Sequence, residues 1–137
     1  ELLHSFFAFL KNYRILVHFN GDGFDIPYLL KRCRHFDLPY DFSAVTSVDI
    51  YRRIKPYRKL LSLESMKQKS IERFLGVSRK DRYSGGELIS VYEKYLMTHE
   101  QSLYDDLILH NEDDLKGMPA ILPILEATGW IISLVVP

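Results

Sequence analysis

The chain has 137 residues and 16.1 kDa, is 47% hydrophobic and 26% charged, and balances 18 Lys and Arg against 18 Asp and Glu. That is the profile of one soluble globular domain and excludes a disordered chain. No apolar stretch approaches the roughly 18 residues a membrane-spanning helix needs, and the single cysteine, Cys33, excludes an intrachain disulfide and a thiolate zinc cage, so a reducing, cytoplasmic setting is expected.

The first residue is Glu1, which opens inside an amphipathic pattern without a secretory signal, so the chain is expected to be a fragment. Leu2, Leu3, Phe6, Phe7, Phe9 and Leu10 predict a helix over 2–12, and the apolar, β-branched run 14–19 predicts a largely buried strand. Gly21 and Gly23 break that strand. Behind Asp25 and Pro27, the spacing of Ile26, Leu29, Leu30 and Cys33 predicts a helix that ends near 37–39. Residues 44–50 read as a second short strand.

A helix is predicted to start at Ser62, with Leu63, Met66, Ile71, Phe74 and Leu75 on its apolar face and Gly76 as its stop. Ser84, Gly85 and Gly86 mark a loop before a helix through Tyr92, Tyr95 and Leu96. The last helix is predicted over 102–125, with Leu103, Leu107, Ile108, Leu115 and Met118 inward and Pro119 and Pro123 kinking or ending it. The order of elements gives an α/β class and one domain over 1–137. The apolar tail at 130–137 reads equally as an edge strand, a partner contact or a cloning remnant.

Zero net charge hides an asymmetry. Residues 1–51 carry 5 basic and 6 acidic side chains, 52–82 carry 11 and 3, and 83–137 carry 2 and 9. The segments therefore net −1, +8 and −7. A basic block interleaved with Tyr51, Tyr57 and Tyr83 suits a nucleic-acid backbone with stacked bases. The plainer reading, favoured for the block taken alone, is a solvated surface or a partner for the acidic last third within the same fold.

Two carboxylate clusters stand out. In 20–25, Asn20, Asp22, Phe24 and Asp25 fall where a strand ends and a helix begins, where an Asp can reach a crevice and hold a hard cation. The plainer reading makes Asp25 an N-cap and the glycines a turn. In 110–114, His110 and Asp114 are four apart and share a helix face, while Glu112 points elsewhere. The adjacent Asp113 and Asp114 need a compensating cation or basic surface. The plainer reading there is a solvated acidic face.

Together these segments resemble a known family. Asn20 through Phe24, Asp25 and Pro27 resemble the second motif, Asn-x-x-x-Phe-Asp, of the DEDD 3′-5′ exonucleases, in the form shared by YprB-like ribonuclease H-like domains and family B DNA polymerase proofreading domains. His110, Asn111 and Asp114 resemble the third motif, with His where one subgroup has Tyr; the histidine subgroup normally sets its His one residue further away. Val48-Asp49-Ile50-Tyr51, Ser62 to Val77 and Ser84 to Glu87 are also similar to the YprB-like pattern, so the resemblance runs from about Ile15 to Leu122. The first motif, Asp-x-Glu, is absent: the chain is expected to start after the first strands of a ribonuclease H-like fold, leaving a small sheet flanked by helices, or to have lost that motif and its activity.

The resemblance implies hydrolysis of DNA or RNA phosphodiesters with two Mg²⁺ or Mn²⁺ ions. It implies Asp25 and Asp114 as metal ligands, His110 as the group that orients or deprotonates water, and Asn20 and Phe24 as contacts to a single-stranded end. Phe24 is read equally as core packing. Arg52, Arg53 and Lys55, in the 52–59 stretch, are the candidate track for the substrate backbone. The competing expectation is a non-catalytic module that binds nucleic acid or protein.

Overall fold

The computed structural model describes residues 1–127, and the 130–137 tail lies outside them. Two strands, β1 (Ile15–His18) and β2 (Thr46–Asp49), pair in parallel, with Leu16 opposite Ser47, Val17 opposite Val48 and His18 opposite Asp49. Parallel strands require a crossover. It is supplied by α2 (Asp25–His35) and residues 36–45, while α1 (Leu2–Leu10) precedes β1.

Alternation along β1 divides the core. Leu16 packs with Phe7, Leu10 and Cys33 of α1 and α2, and with Tyr40, Phe42 and Val45 of the connection. Val17 faces the opposite way, onto the larger cluster of Ile50, Ile54, Leu63, Ile71, Ile121, Ile124 and Leu125. These come from α3 (Ile50–Ile54), α4 (Gln68–Phe74), α6 (Gln101–Ala127) and the 63–67 segment. A 3₁₀ turn, Lys55–Tyr57, follows α3, and α5 (Gly85–Thr98) packs along α6. The sheet thus lies between two helical layers, as expected of a mixed α/β chain with a small flanked sheet. Among the described residues no helix is long and apolar enough to cross a membrane.

Three expected elements differ, and β1, expected to be largely buried, has Ile15 exposed and Leu16, Val17 and His18 only half-buried in this small sheet. The helix predicted from Ser62 starts at Gln68, because Ser62 adopts a left-handed φ of 51° and the 61–67 stretch turns before it can wind. Leu63 and Met66 still reach the core from that turn, which gave an apolar pattern without helix, whereas Phe74 is exposed. Ser84 to Gly86 form no loop: Ser84 is the N-cap and the two glycines are the first helical residues of α5, closed by a capping box with Glu87. Finally, α6 has close to its expected 102–125 span, at Gln101–Ala127, and does not end at Pro119 or Pro123, because Ile121, Ile124 and Leu125 beyond them are buried. Burying each such side chain is worth ~1.5–3 kcal/mol, enough together to offset two lost backbone bonds. The buried face of α6 is accordingly Leu103, Gly117, Ile121, Ile124 and Leu125, with Met118 packed against the core as expected and Ile108 and Leu115 exposed.

Candidate active site

Both strands end in residues whose side chains share one face of the sheet, so the register alone brings His18, Ser47 and Asp49 together. Asp49 is buried and caps α3, its Oδ1 accepting from Arg52 N (3.4 Å) and Asn20 N (2.9 Å). That last bond holds Asn20 in a left-handed conformation and turns the chain into α2. The His18 ring lies over Gly21, whose N–H donates to Nδ1 (3.0 Å); a Cβ at Gly21 would sit 2.6 Å from that nitrogen. In the neutral ring Nε2 therefore carries the proton, toward Ser47 Oγ (2.7 Å), and the Ser47 hydroxyl donates to Asp22 Oδ1 (2.6 Å).

His18, Asp22 and Asp49 offer ligand atoms within 4.8 Å of one another, and the buried Oδ2 of Asp49 accepts no hydrogen bond. A cation already faces them, since Arg52 Nη1 is 3.4 Å from Asp22 and Nε is 3.8 Å from Asp49. With Nδ1 also engaged by Gly21, the group is built as a clamp across the strand ends. A divalent ion there would have to displace both.

The turn delivers Asp25 to the first position of α2. Phe24, not Asp25, is the N-cap residue and makes no side-chain capping bond. Burial pushes the Asp25 carboxyl above the usual carboxylate range; its own backbone N–H and nearby His18 pull it back, and Asp49 pushes it further up. Phe24 is 70% exposed, which rules out core packing for that ring.

On α6, His110 and Asp114 do share a face: His110 Nε2 is 3.4 Å from Asp114 Oδ2. Asp114 Oδ1 pairs with Arg79 Nη1 at 2.6 Å. Arg79 is itself 9% exposed, forked onto Glu72 and bound to Asp81 Oδ2 at 3.1 Å. Asp81, 1% exposed, also accepts from Lys69 Nζ (2.7 Å), Tyr83 N (3.1 Å) and His110 Nδ1 (3.2 Å). Burial alone would raise its carboxyl, but the bonds from Lys69, His110 and Arg79 bring it down to about 2. Asp113 accepts from the N–H groups of Lys80 and Asp81 at 2.8 and 2.9 Å, while Glu112 pairs outward with Lys116. The adjacent acids of α6 are thus compensated by Arg79 and by backbone donors.

The two clusters meet in a cleft of about 610 Å³ lined by Asn20, Phe24 and Asp25 of the first and Asp114 of the second, with Tyr51, Arg58 and Lys67 among the remaining walls. A family model of the RNase_H superfamily, RNase_H_2, matches residues 1–125. The chain belongs to the RNase H superfamily. No curated protein and no solved structure gives a significant match. Membership points to a hydrolase acting on nucleic acid, and RNase H-like nucleases use divalent metals. Asp25 and Asp114 bring to the cleft the carboxylate oxygens such ions take as donors, those of Asp114 already facing Arg79 and His110.

For this RNase H-like chain, the cleft gathers Asn20, Phe24, Asp25 and Asp114 but not the other expected site residues. His110 lies behind Asp114 rather than on the cleft wall. Arg52 is engaged with Asp22 and Asp49, Lys55 lies over the Tyr51 ring at 5.6 Å, and Arg53, next to Arg52 on α3, does not line the cleft. Sequence reasoning gave no site role to Asp49 or Asp81 and held Arg79 and Lys67 only as members of the basic 52–82 block. Asp49 had a signal, an acid at the carboxyl end of a strand, the same one that marked Asp25. Arg79 and Asp81 sit in the irregular stretch before α5 and Lys67 immediately before α4, with no periodicity to single them out.

Proposed function

We propose that the chain is the metal-dependent, 3′-5′ exonuclease-like part of an RNase H-like nuclease that hydrolyses DNA or RNA phosphodiesters. The observation that carries this reading is the shared cleft of Asp25 and Asp114, far apart in sequence and lining one cavity. Bound there, two Mg²⁺ or Mn²⁺ ions would supply a lowered water pKa and charge neutralisation at the attacking and leaving oxygens. Asp25 and Asp114 would hold them, together with the first-motif Asp and Glu, which these 137 residues do not contain. Burial already disfavours the charge on Asp25, so a cation is the partner that would relieve it. His110 acts through Asp114, steadying its Oδ2 while Asp81 holds the other ring nitrogen. The exposed Phe24 ring offers a stacking surface for a terminal sugar or base, and Asn20 lies beside it on the cleft.

The test is Mn²⁺-dependent release of nucleotides from end-labelled single-stranded DNA and RNA by the protein, carried out also in its longer polypeptide if it is part of one. Asp114→Asn should lower release at least ~100-fold while leaving the circular dichroism spectrum and melting midpoint near those of the parent. A well-folded variant that still cuts would remove Asp114 from the reaction. A second reading, a non-catalytic nucleic-acid-binding module, is favoured by the Arg79 ion pair already on Asp114 and by the missing Asp-x-Glu. Oligonucleotide binding without release by the parent would move the assignment there.

A further inference from the structure

Besides Asn20, Phe24, Asp25 and Asp114, the cleft has a wall built from residues 65–68 and Arg58. This wall is fixed rather than loose. Gln68 Nε2 donates to the Asp114 carbonyl (2.7 Å) and to Glu72 Oε1 (2.8 Å), tying the start of α4 to the turn of α6 that bears Asp114. Ser65 Oγ is 2.6 Å from Ser70 Oγ and accepts the Lys67 N–H at 3.3 Å, which sets the backbone at Lys67. Arg58 braces the same segment, donating to the carbonyls of Glu64 (3.0 Å) and Leu63 (3.5 Å).

The cations of the basic block divide sharply around this cleft. Lys69 and Arg79 are spent on buried carboxylates, Arg52 on the strand-end clamp, and Arg73 pairs with Glu64 at 3.8 Å. Lys67 differs: it is exposed, lines the cleft, and its ammonium enters no ion pair among the described residues. A flexible ammonium on a pinned backbone, in a cleft that also carries the Asp25 and Asp114 carboxylates, suits an anion that enters there.

We propose that Lys67, with Arg58 beside it, forms an anion subsite that takes a backbone phosphate of single-stranded nucleic acid. The choice of nucleic acid rests on the nuclease reading above. The exposed Phe24 ring and Tyr51, on the same cavity, give bases a stacking surface that a free phosphate would not use. The substrate's charge is therefore carried by Lys67 and Arg58 rather than by Arg52, Arg53 and Lys55.

Binding of a fluorescein-labelled single-stranded oligothymidylate, followed by anisotropy over a NaCl series without divalent ions, tests this directly. Each phosphate contact on a single strand contributes about 0.7 to the slope of log affinity against log salt. Lys67→Gln should weaken binding roughly threefold to tenfold at low salt and flatten the slope by about 0.7. Lys31→Gln, an exposed lysine of α2 away from the cleft, should leave the slope as in the parent. In the cleavage assay Lys67→Gln should raise KM and leave kcat near the parental value. An unchanged slope in Lys67→Gln, or a parent that does not bind the oligonucleotide, overturns the subsite. A flattened slope in a protein that never cuts supports the subsite while removing the nuclease reading, so the two fail separately.

Discussion

Gly117 lies where the α6 backbone passes the Glu72 carboxylate, and a Cβ there would overlap it. Glu72 is 1% exposed and cannot swing aside without giving up Arg79 and Gln68. This reverses the ordinary sign of the substitution: in an exposed helix interior, Ala replaces Gly with a gain of about 1 kcal/mol. Here Gly117→Ala should cost ~2–4 kcal/mol, because it forces overpacking and loosens a buried ion pair. Urea unfolding would read this as a lower midpoint at unchanged slope, and a neutral or stabilised variant would show that Glu72 yields easily. The consequence reaches the cleft, since Glu72 holds Arg79 and Arg79 holds Asp114. The small residue three positions after the acid thus helps to place a carboxylate it never touches.

Among the elements, α5 is the one whose start rests most on its own sequence. Ser84 Oγ accepts from Glu87 N (3.4 Å) and Glu87 Oε2 accepts from Ser84 N (2.7 Å), so two otherwise unpaired N–H groups are satisfied reciprocally. Ser84→Ala should cost about 1 kcal/mol and lower the melting midpoint by roughly 3 °C, read by calorimetry; no shift would mean that packing on α6 alone holds the helix end. The same contrast explains what the sequence made legible. β1, α2 and β2 follow from period and punctuation, because each is short, apolar on defined positions and bounded by Gly, Pro or Asp. The spacing of His110 and Asp114 places them on one face because a helix turn is a local property. Residues 62–67 were not legible, since Leu63 and Met66 enter the core from a turn that only tertiary packing defines. The span of α6 was legible, whereas whether its prolines end it depends on what Ile121 and Leu125 bury against. Arg79 and Asp81 escaped for the same reason: their partners come from α4 and α6, and no local pattern encodes them.

Across the whole molecule, the charge asymmetry of the sequence is partly spent inside the fold. Arg79 from the +8 segment meets Asp114 from the −7 segment, the backbone at Lys80 and Asp81 caps Asp113, and Arg52 crosses to Asp22. Asp81 is the centre of this arrangement, holding Lys69, Arg79 and His110 on one buried carboxylate. Its pKa of about 2 lies below the ordinary value of ~3.9 for an unfolded chain, so the unfolded state takes up the proton first as pH falls. The stabilisation is fully present above about pH 4 and is lost as pH drops through about 2. Asp25 acts with the opposite sign: its folded value is raised, chiefly by burial, so its contribution favours the fold in acid and is lost as pH rises through that value. Urea midpoints between about pH 2 and 5 should therefore fall toward acid in the parent. Asp81→Asn, less stable at neutral pH, should show a flatter dependence over that window. A parent whose midpoint is level from about pH 4 to 2 would mean that the Asp81 carboxylate is not held ionised by its three partners. It would also undo the case that Asp81 anchors Arg79 and His110 against Asp114, and hence that the cleft is assembled before substrate arrives.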